Sequence, residues 1–149
     1  MPRHASYVPH GVIPAALLPF DSDFAIDEAG FRKHLRDLAA VEGLSAITIN
    51  AHSTEVASCT FDEQRRVLEI AQDEVGGRLP LINGIWADGS IEAARLARMA
   101  AQGGASALLV FPPAPFTLGQ SPAMVLAHDA TDHPLIVFEY PLSTAQGYP

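Results

Sequence analysis

The stretch Leu44-Ser45-Ala46-Ile47-Thr48-Ile49-Asn50, with Ala51-His52-Ser53-Thr54-Glu55 and then Thr60-Phe61-Asp62-Glu63 behind it, decides the fold. This short β-branched run, nearly all buried in character, reads as a strand covered on both faces, the pattern of parallel sheets. Thr60 and Glu63 form a capping box, in which each side chain can satisfy the other residue's backbone N–H, so a helix starts there. Val67, Ile70, Ala71 and Val75 recur at helical spacing, and Gly76-Gly77 stops the helix. The result is one βα unit: strand, polar loop, amphipathic helix.

The unit recurs on both sides. Upstream, Val12 to Leu17 is an apolar run rich enough for a buried strand, which Pro14 confines to an edge or irregular position. Asp27 reads as an N-cap, Phe31, Leu35 and Leu38 carry a helix to about Val41, and Gly43 ends it. Downstream, Pro80 to Ile85 is a strand. Asp88 or Ser90 is expected to cap an alanine-rich helix running to Gln102, with Gly103-Gly104 after it. Ala105 to Phe111 and Leu135 to Phe138 complete the strands, with a short helix expected within Pro122 to Ala130 and loop from Pro141 to Pro149.

Strands starting about every 30 residues with helices between them must run parallel through right-handed crossovers. Two architectures fit. One is a TIM-type (β/α)₈ barrel, normally about 250 residues, of which this chain would hold the first four and a half units. The other is an open five-stranded doubly wound sheet, complete at this length. Long loops after Asn50 and after Phe111, which carry the unusual residues, lean toward the barrel, whose catalytic groups gather at the C-terminal ends of the strands. The domain reading is a single partial barrel over residues 1–149, with tails at 1–10 and 142–149.

Composition excludes several classes. The net charge of −8 over 149 residues argues against nucleic acid or anionic membrane as a partner. No apolar run approaches the roughly 18 residues of a membrane span, and Met1-Pro2-Arg3-His4 lacks a secretory apolar region. The lone Cys59 agrees with a reducing compartment, so a cytoplasmic chain is expected. Phosphate loops, dinucleotide fingerprints and zinc-type ligand spacing are all missing from the sequence, so no cofactor or metal is expected.

The densest polar cluster is Asn50 through Glu55. Its hydroxyls and backbone N–H groups could hold a substrate carboxylate, or they could simply cap a βα loop. Trp86, after the Pro80–Ile85 strand, reads as a packing residue.

These same residues carry a resemblance. Gly11-Val12-Ile13-Pro14-Ala15 with Pro19-Phe20-Asp21, Asn50 through Glu55, Phe61 through Leu68, Pro80-Leu81-Ile82-Asn83-Gly84 and Val137-Phe138-Glu139-Tyr140-Pro141 stand in the order of the dihydrodipicolinate synthase/N-acetylneuraminate lyase family. The resemblance implies a class I aldolase barrel, usually a homo-oligomer, that binds pyruvate or another 2-oxo acid as an imine on a lysine. A tyrosine relays protons there, and a Gly-Thr-Thr-Gly-Glu turn holds the keto acid's carboxylate. A lysine must be neutral to attack the carbonyl, and a hydroxyl must move protons as the imine forms.

The departures are as informative. The family turn aligns with Ala51-His52-Ser53-Thr54-Glu55, so His52 and Ser53 replace both threonines. Ser53, with His52 and Asn50 beside it, is the expected substrate-binding group, and His52, titratable near neutrality, is a candidate proton relay. Phe138 stands at the relay tyrosine's position, which leaves Tyr140 as the other catalytic candidate. The family lysine lies on the sixth strand, beyond residue 149, and the chain's one lysine, Lys33, reads as a solvated charge. The expectation is therefore a 2-oxo-acid lyase relative that is inactive alone, or a non-catalytic remnant or association module.

Overall fold

The computed structural model describes residues 7–112 and 129–138. Three helices, α1 (Glu28–Ala39), α2 (Phe61–Glu74) and α3 (Ser90–Gln102), alternate with strands β1 (Ile47–Ile49), β2 (Leu81–Ile85), β3 (Ala107–Val110) and β4 (Leu135–Val137). The caps explain the helix starts. Asp27 accepts the Gly30 N–H at 2.9 Å. Thr60 and Glu63 form the full capping box, the Glu63 carboxylate accepting the Thr60 N–H at 2.7 Å and its pKa lowered by those bonds. At α3 the expectation fails: Gly89 is the N-cap, Ser90 is already helical, and no side chain caps the end.

All four strands pair in parallel, in the sequential order β1-β2-β3-β4. One face, bearing Ile47, Ile49, Leu81, Ile85, Leu108 and Val110, packs on α1, α2 and α3 through Phe31, Leu35, Val67, Leu68, Ile70 and Leu96. The other bears Ala46, Ile82 and Ala107, with Leu109, Ile136, Ile13 and Tyr7 against them. Both faces are covered mainly by apolar side chains, with Asn83 and Thr48 as buried polar exceptions, which is why most of the strand positions are apolar. A doubly wound sheet reverses strand order and puts helices on both faces. Here the order is sequential and the helices share one face, so the described part has the architecture of a (β/α) barrel, and the open-sheet alternative falls.

The Val12–Leu17 run is not a full strand. It lies along β1 through the parallel bridges Val12↔Leu44 and Ala15↔Thr48, with the Pro14 carbonyl accepting the Thr48 N–H at 2.8 Å. Pro14 has no N–H to return, which interrupts the ladder. Ala16 and Leu18 are buried, while Val12 and Leu17 stay 62% and 60% exposed, so only part of the run joins the core. The first helix ends at Ala39, two residues before the expected Val41, and Gly43 turns the chain beyond it with a φ of +86°. Most of the helix expected within residues 122–130 lies outside the described residues, as do both ends of the chain; Tyr7, within the expected N-terminal tail, packs against the Ala46–Ile82–Ala107 face.

Candidate functional site

The loop leaving β1 is fixed from below. Asn50 takes a left-handed φ of 50°, a conformation asparagine tolerates better than most residues, and swings the chain over β2. The turn is possible because residue 84 has no side chain: a methyl there would lie 2.7 Å from the Asn50 carbonyl carbon and nearer still to its oxygen. The fully buried Asn50 amide donates to the Gln64 carbonyl at 2.9 Å and to Asn83 Oδ1 at 2.8 Å, tying the strand end to α2 and β2. Thr54, also fully buried, donates its hydroxyl to the Ala16 carbonyl at 2.9 Å. Between these anchors His52, Ser53 and Thr54 form a single 3₁₀ turn that lifts His52 and Ser53 to the rim.

Four rings meet at that rim. The register pairs Ile85 with Val110 and Val110 with Val137, so the next residues along the three strands, Trp86, Phe111 and Phe138, fall side by side. The His52 ring sits among them, with centroids 4.4 Å from Phe111, 5.0 Å from Trp86 and 5.7 Å from Phe138. Phe111 and Phe138 are 4.9 Å apart. Tilted and edge-to-face geometries at these separations are favourable for aromatic pairs. Burial pushes the His52 pKa below its ordinary value, so the imidazole is neutral at pH 7.

Beside this cluster opens a cleft of about 290 Å³. Its floor is Ile13, Ala15, Thr48, Ile82, Leu109 and Ile136, and its rim is His52, exposed Ser53, Phe111 and Phe138. The wall is apolar, with hydroxyls at Thr48 and Ser53, and it sits at the C-terminal ends of the strands. Of the residues singled out in the sequence, the structure brings His52 and Ser53 together at this cleft. Asn50 is placed beneath it, holding the loop, and Tyr140 lies outside the described residues. Sequence reasoning missed Thr48, Phe111 and the convergence on Trp86. The signal was present, since each apolar run from β2 onward is followed directly by an aromatic residue.

Other chemistry is remote from the cleft. Lys33 lies on α1, 72% exposed, paired with Asp37 at 2.6 Å. Cys59 is half-buried, and burial with the nearby Glu63 and Glu55 carboxylates pushes its thiol up to about 11, so it carries no thiolate at neutral pH. Among the described residues no group of His, Cys, Asp or Glu converges to hold a metal, and no helix is long and apolar enough to cross a membrane.

Comparison with known proteins gives these features relatives. The Dihydrodipicolinate synthetase family profile matches residues 8–147. The 4-hydroxy-tetrahydrodipicolinate synthase of Methanothermobacter thermautotrophicus is 34% identical over 137 residues, covering 90% of this chain and 48% of the relative. A dihydrodipicolinate synthase from Agrobacterium tumefaciens superposes with a TM-score of 0.84 at 29% identity, covering 93% of this chain and 48% of that one. The fold is also that of the dihydrodipicolinate synthase from Acinetobacter baumannii complexed with pyruvate, with a TM-score of 0.83 at 24% identity over 92% of this chain and 48% of that one. The chain thus spans about half the length of the relatives it matches.

Proposed function

Because the chain belongs to the dihydrodipicolinate synthetase family, we propose that its rim cleft binds a 2-oxo acid of the pyruvate type, and that this chain alone forms no imine with it. The observation that carries the reading is the cleft at the strand ends with Ser53 at its mouth, where the family turn aligns. The Ser53 hydroxyl donates to the acid's carboxylate, Thr48 supplies a second hydroxyl deeper in, and apolar walls strengthen both bonds by excluding water. Support for the ligand class comes from the pyruvate complex of the A. baumannii relative.

Carbon–carbon chemistry through an imine needs a neutral lysine amine at the keto carbon. Lys33, ion-paired on the outer face of α1, is not among the cleft's lining residues. Neutral His52 can accept a proton beside the cleft, and Tyr140 remains the other relay candidate. Asn50 acts beneath the site, by positioning the turn.

Titrating pyruvate while following the fluorescence of Trp86, the chain's one tryptophan, tests the binding. Saturable change that Ser53→Ala weakens by about tenfold supports the reading. No response, or one indifferent to Ser53→Ala, overturns it.

A second reading is an association module. Ile13, Leu109 and Ile136 are only half-buried on the sheet face turned away from the helices, which favours self-association through that face. Sedimentation decides: a homo-oligomer supports it, and a dilute stable monomer refutes it. A cytoplasmic setting is proposed with either reading.

A further inference from the structure

The rim is unusual for a site that need only hold a three-carbon acid. Carboxylate and ketone recognition calls for donors, yet the wall nearest Ser53 is made of the His52, Phe111 and Phe138 rings. Phe111 is almost fully buried, at 3% exposure, but His52 and Phe138, which also line the cleft, are only half-buried, which leaves ring surface uncovered there. Half-covered rings fixed by mutual packing are a preformed platform: they lose little freedom when a flat group settles on them. Apart from the Thr48 hydroxyl, the floor is Ile13, Ala15, Ile82, Leu109 and Ile136, apolar and without a charge.

Size points the same way. A cleft of about 290 Å³ lies near the lower end, about 300 Å³, of volumes that enclose drug-sized ligands. Pyruvate would leave most of it unfilled against apolar walls. An acid with one aromatic ring, about a dozen heavy atoms in all, fits that scale. Its carboxylate and ketone would lie at Ser53 and Thr48, with its ring toward Phe111 and Phe138. The neutral state of His52 suits this arrangement, because an uncharged imidazole costs far less to desolvate beside the rings than an imidazolium would.

Resting on the 2-oxo-acid reading of the same cleft, we infer that the ligand class of this site is an aryl-substituted 2-oxo acid, held by its carboxylate at Ser53 and by its ring on the His52–Phe111–Phe138 wall. Phenylpyruvate is the probe, with pyruvate as the comparison, both titrated calorimetrically into the full chain. Phenylpyruvate is expected to bind at least about tenfold more tightly than pyruvate, the contribution of one well-packed ring.

Phe138→Leu keeps an apolar side chain at a half-buried position and removes only the aromatic face. With the fold verified by far-UV circular dichroism, it is expected to cut the preference for phenylpyruvate over pyruvate about threefold or more. Ser53→Ala should weaken both acids by the same factor. Equal affinity for the two acids, both dependent on Ser53, overturns the aryl inference and leaves the 2-oxo-acid reading standing. A phenylpyruvate preference indifferent to Phe138→Leu also overturns it. Binding of phenylpyruvate that ignores Ser53→Ala, or binding of neither acid, overturns both.

Discussion

Replacing Gly84 by alanine tests how the rim is built. The new methyl would stand 2.7 Å from the Asn50 carbonyl carbon, and both neighbours are backbone. An ordinary carbon–carbon contact begins near 3.5 Å, so β1 and β2 must part by at least about 0.8 Å at this point. Strands are held about 4.8 Å apart by their hydrogen bonds, and such a gap breaks the last rungs of the ladder next to the Ile49↔Asn83 pair. Losing one or two rungs at about 1 kcal/mol each, added to overpacking of about 1–3 kcal/mol, gives a destabilisation of about 3 kcal/mol. That is a large fraction of the stability of a small domain. Urea unfolding gives the free energy, and near-ultraviolet circular dichroism of Trp86 and its ring neighbours reports whether the rim has moved. A loss under about 1 kcal/mol with an unchanged aromatic spectrum would refute the claim that Gly84 is required for the Asn50 turn.

Asn50→Ala should cost about 2–3 kcal/mol by urea unfolding, since it strips the donor from the buried Gln64 carbonyl and Asn83 Oδ1. Gly89→Asp should raise stability by a few tenths of a kcal/mol, because it gives the uncapped start of α3 a side-chain acceptor at a φ of −128° that any residue adopts. The depressed pKa of His52 means that the unfolded chain takes up that proton first. Stability should hold above about pH 6.5 and decline as pH falls below it, with His52→Phe flattening the decline between pH 6.5 and 5. The lowered Glu28, Glu63 and Glu74 carboxylates act only further down, as pH falls through the usual glutamate range, so the difference between the wild-type chain and His52→Phe at pH 7.5 and 5.5 isolates this one of the six histidines.

What could be read in advance follows from which forces are local. Capping at Asp27 and at Thr60–Glu63 is settled within one turn of chain, and both read correctly. So did the β2, β3 and β4 runs, whose side chains, Asn83 apart, are apolar on both faces. Val12–Leu17 reads as a buried strand on composition, but its pairing depends on which partner N–H groups exist, and Pro14 removes one. The start of α3 misled because Asp88 and Ser90 flank the true cap, a one-residue distinction set by the loop's path. Ser53 and His52 could be singled out because they adjoin in sequence. The ring cluster left only a partial signal, an aromatic residue after each apolar run, because its convergence depends on strand register, which places residues from four separate segments at one height. Asn50 shows the limit most clearly: the residue was legible, but its side chain turns down into Asn83 and Gln64 instead of lining the cleft.

We propose that this chain holds a 2-oxo-acid rim whose lining includes no lysine to form an imine. Borohydride reduction in the presence of saturating pyruvate, followed by intact-mass measurement of the whole chain, tests it most directly. An unmodified mass is expected, because Lys33 is exposed, ion-paired with Asp37 and not among the residues that line the cleft. A reduced pyruvyl adduct mapped to Lys33 would contradict it.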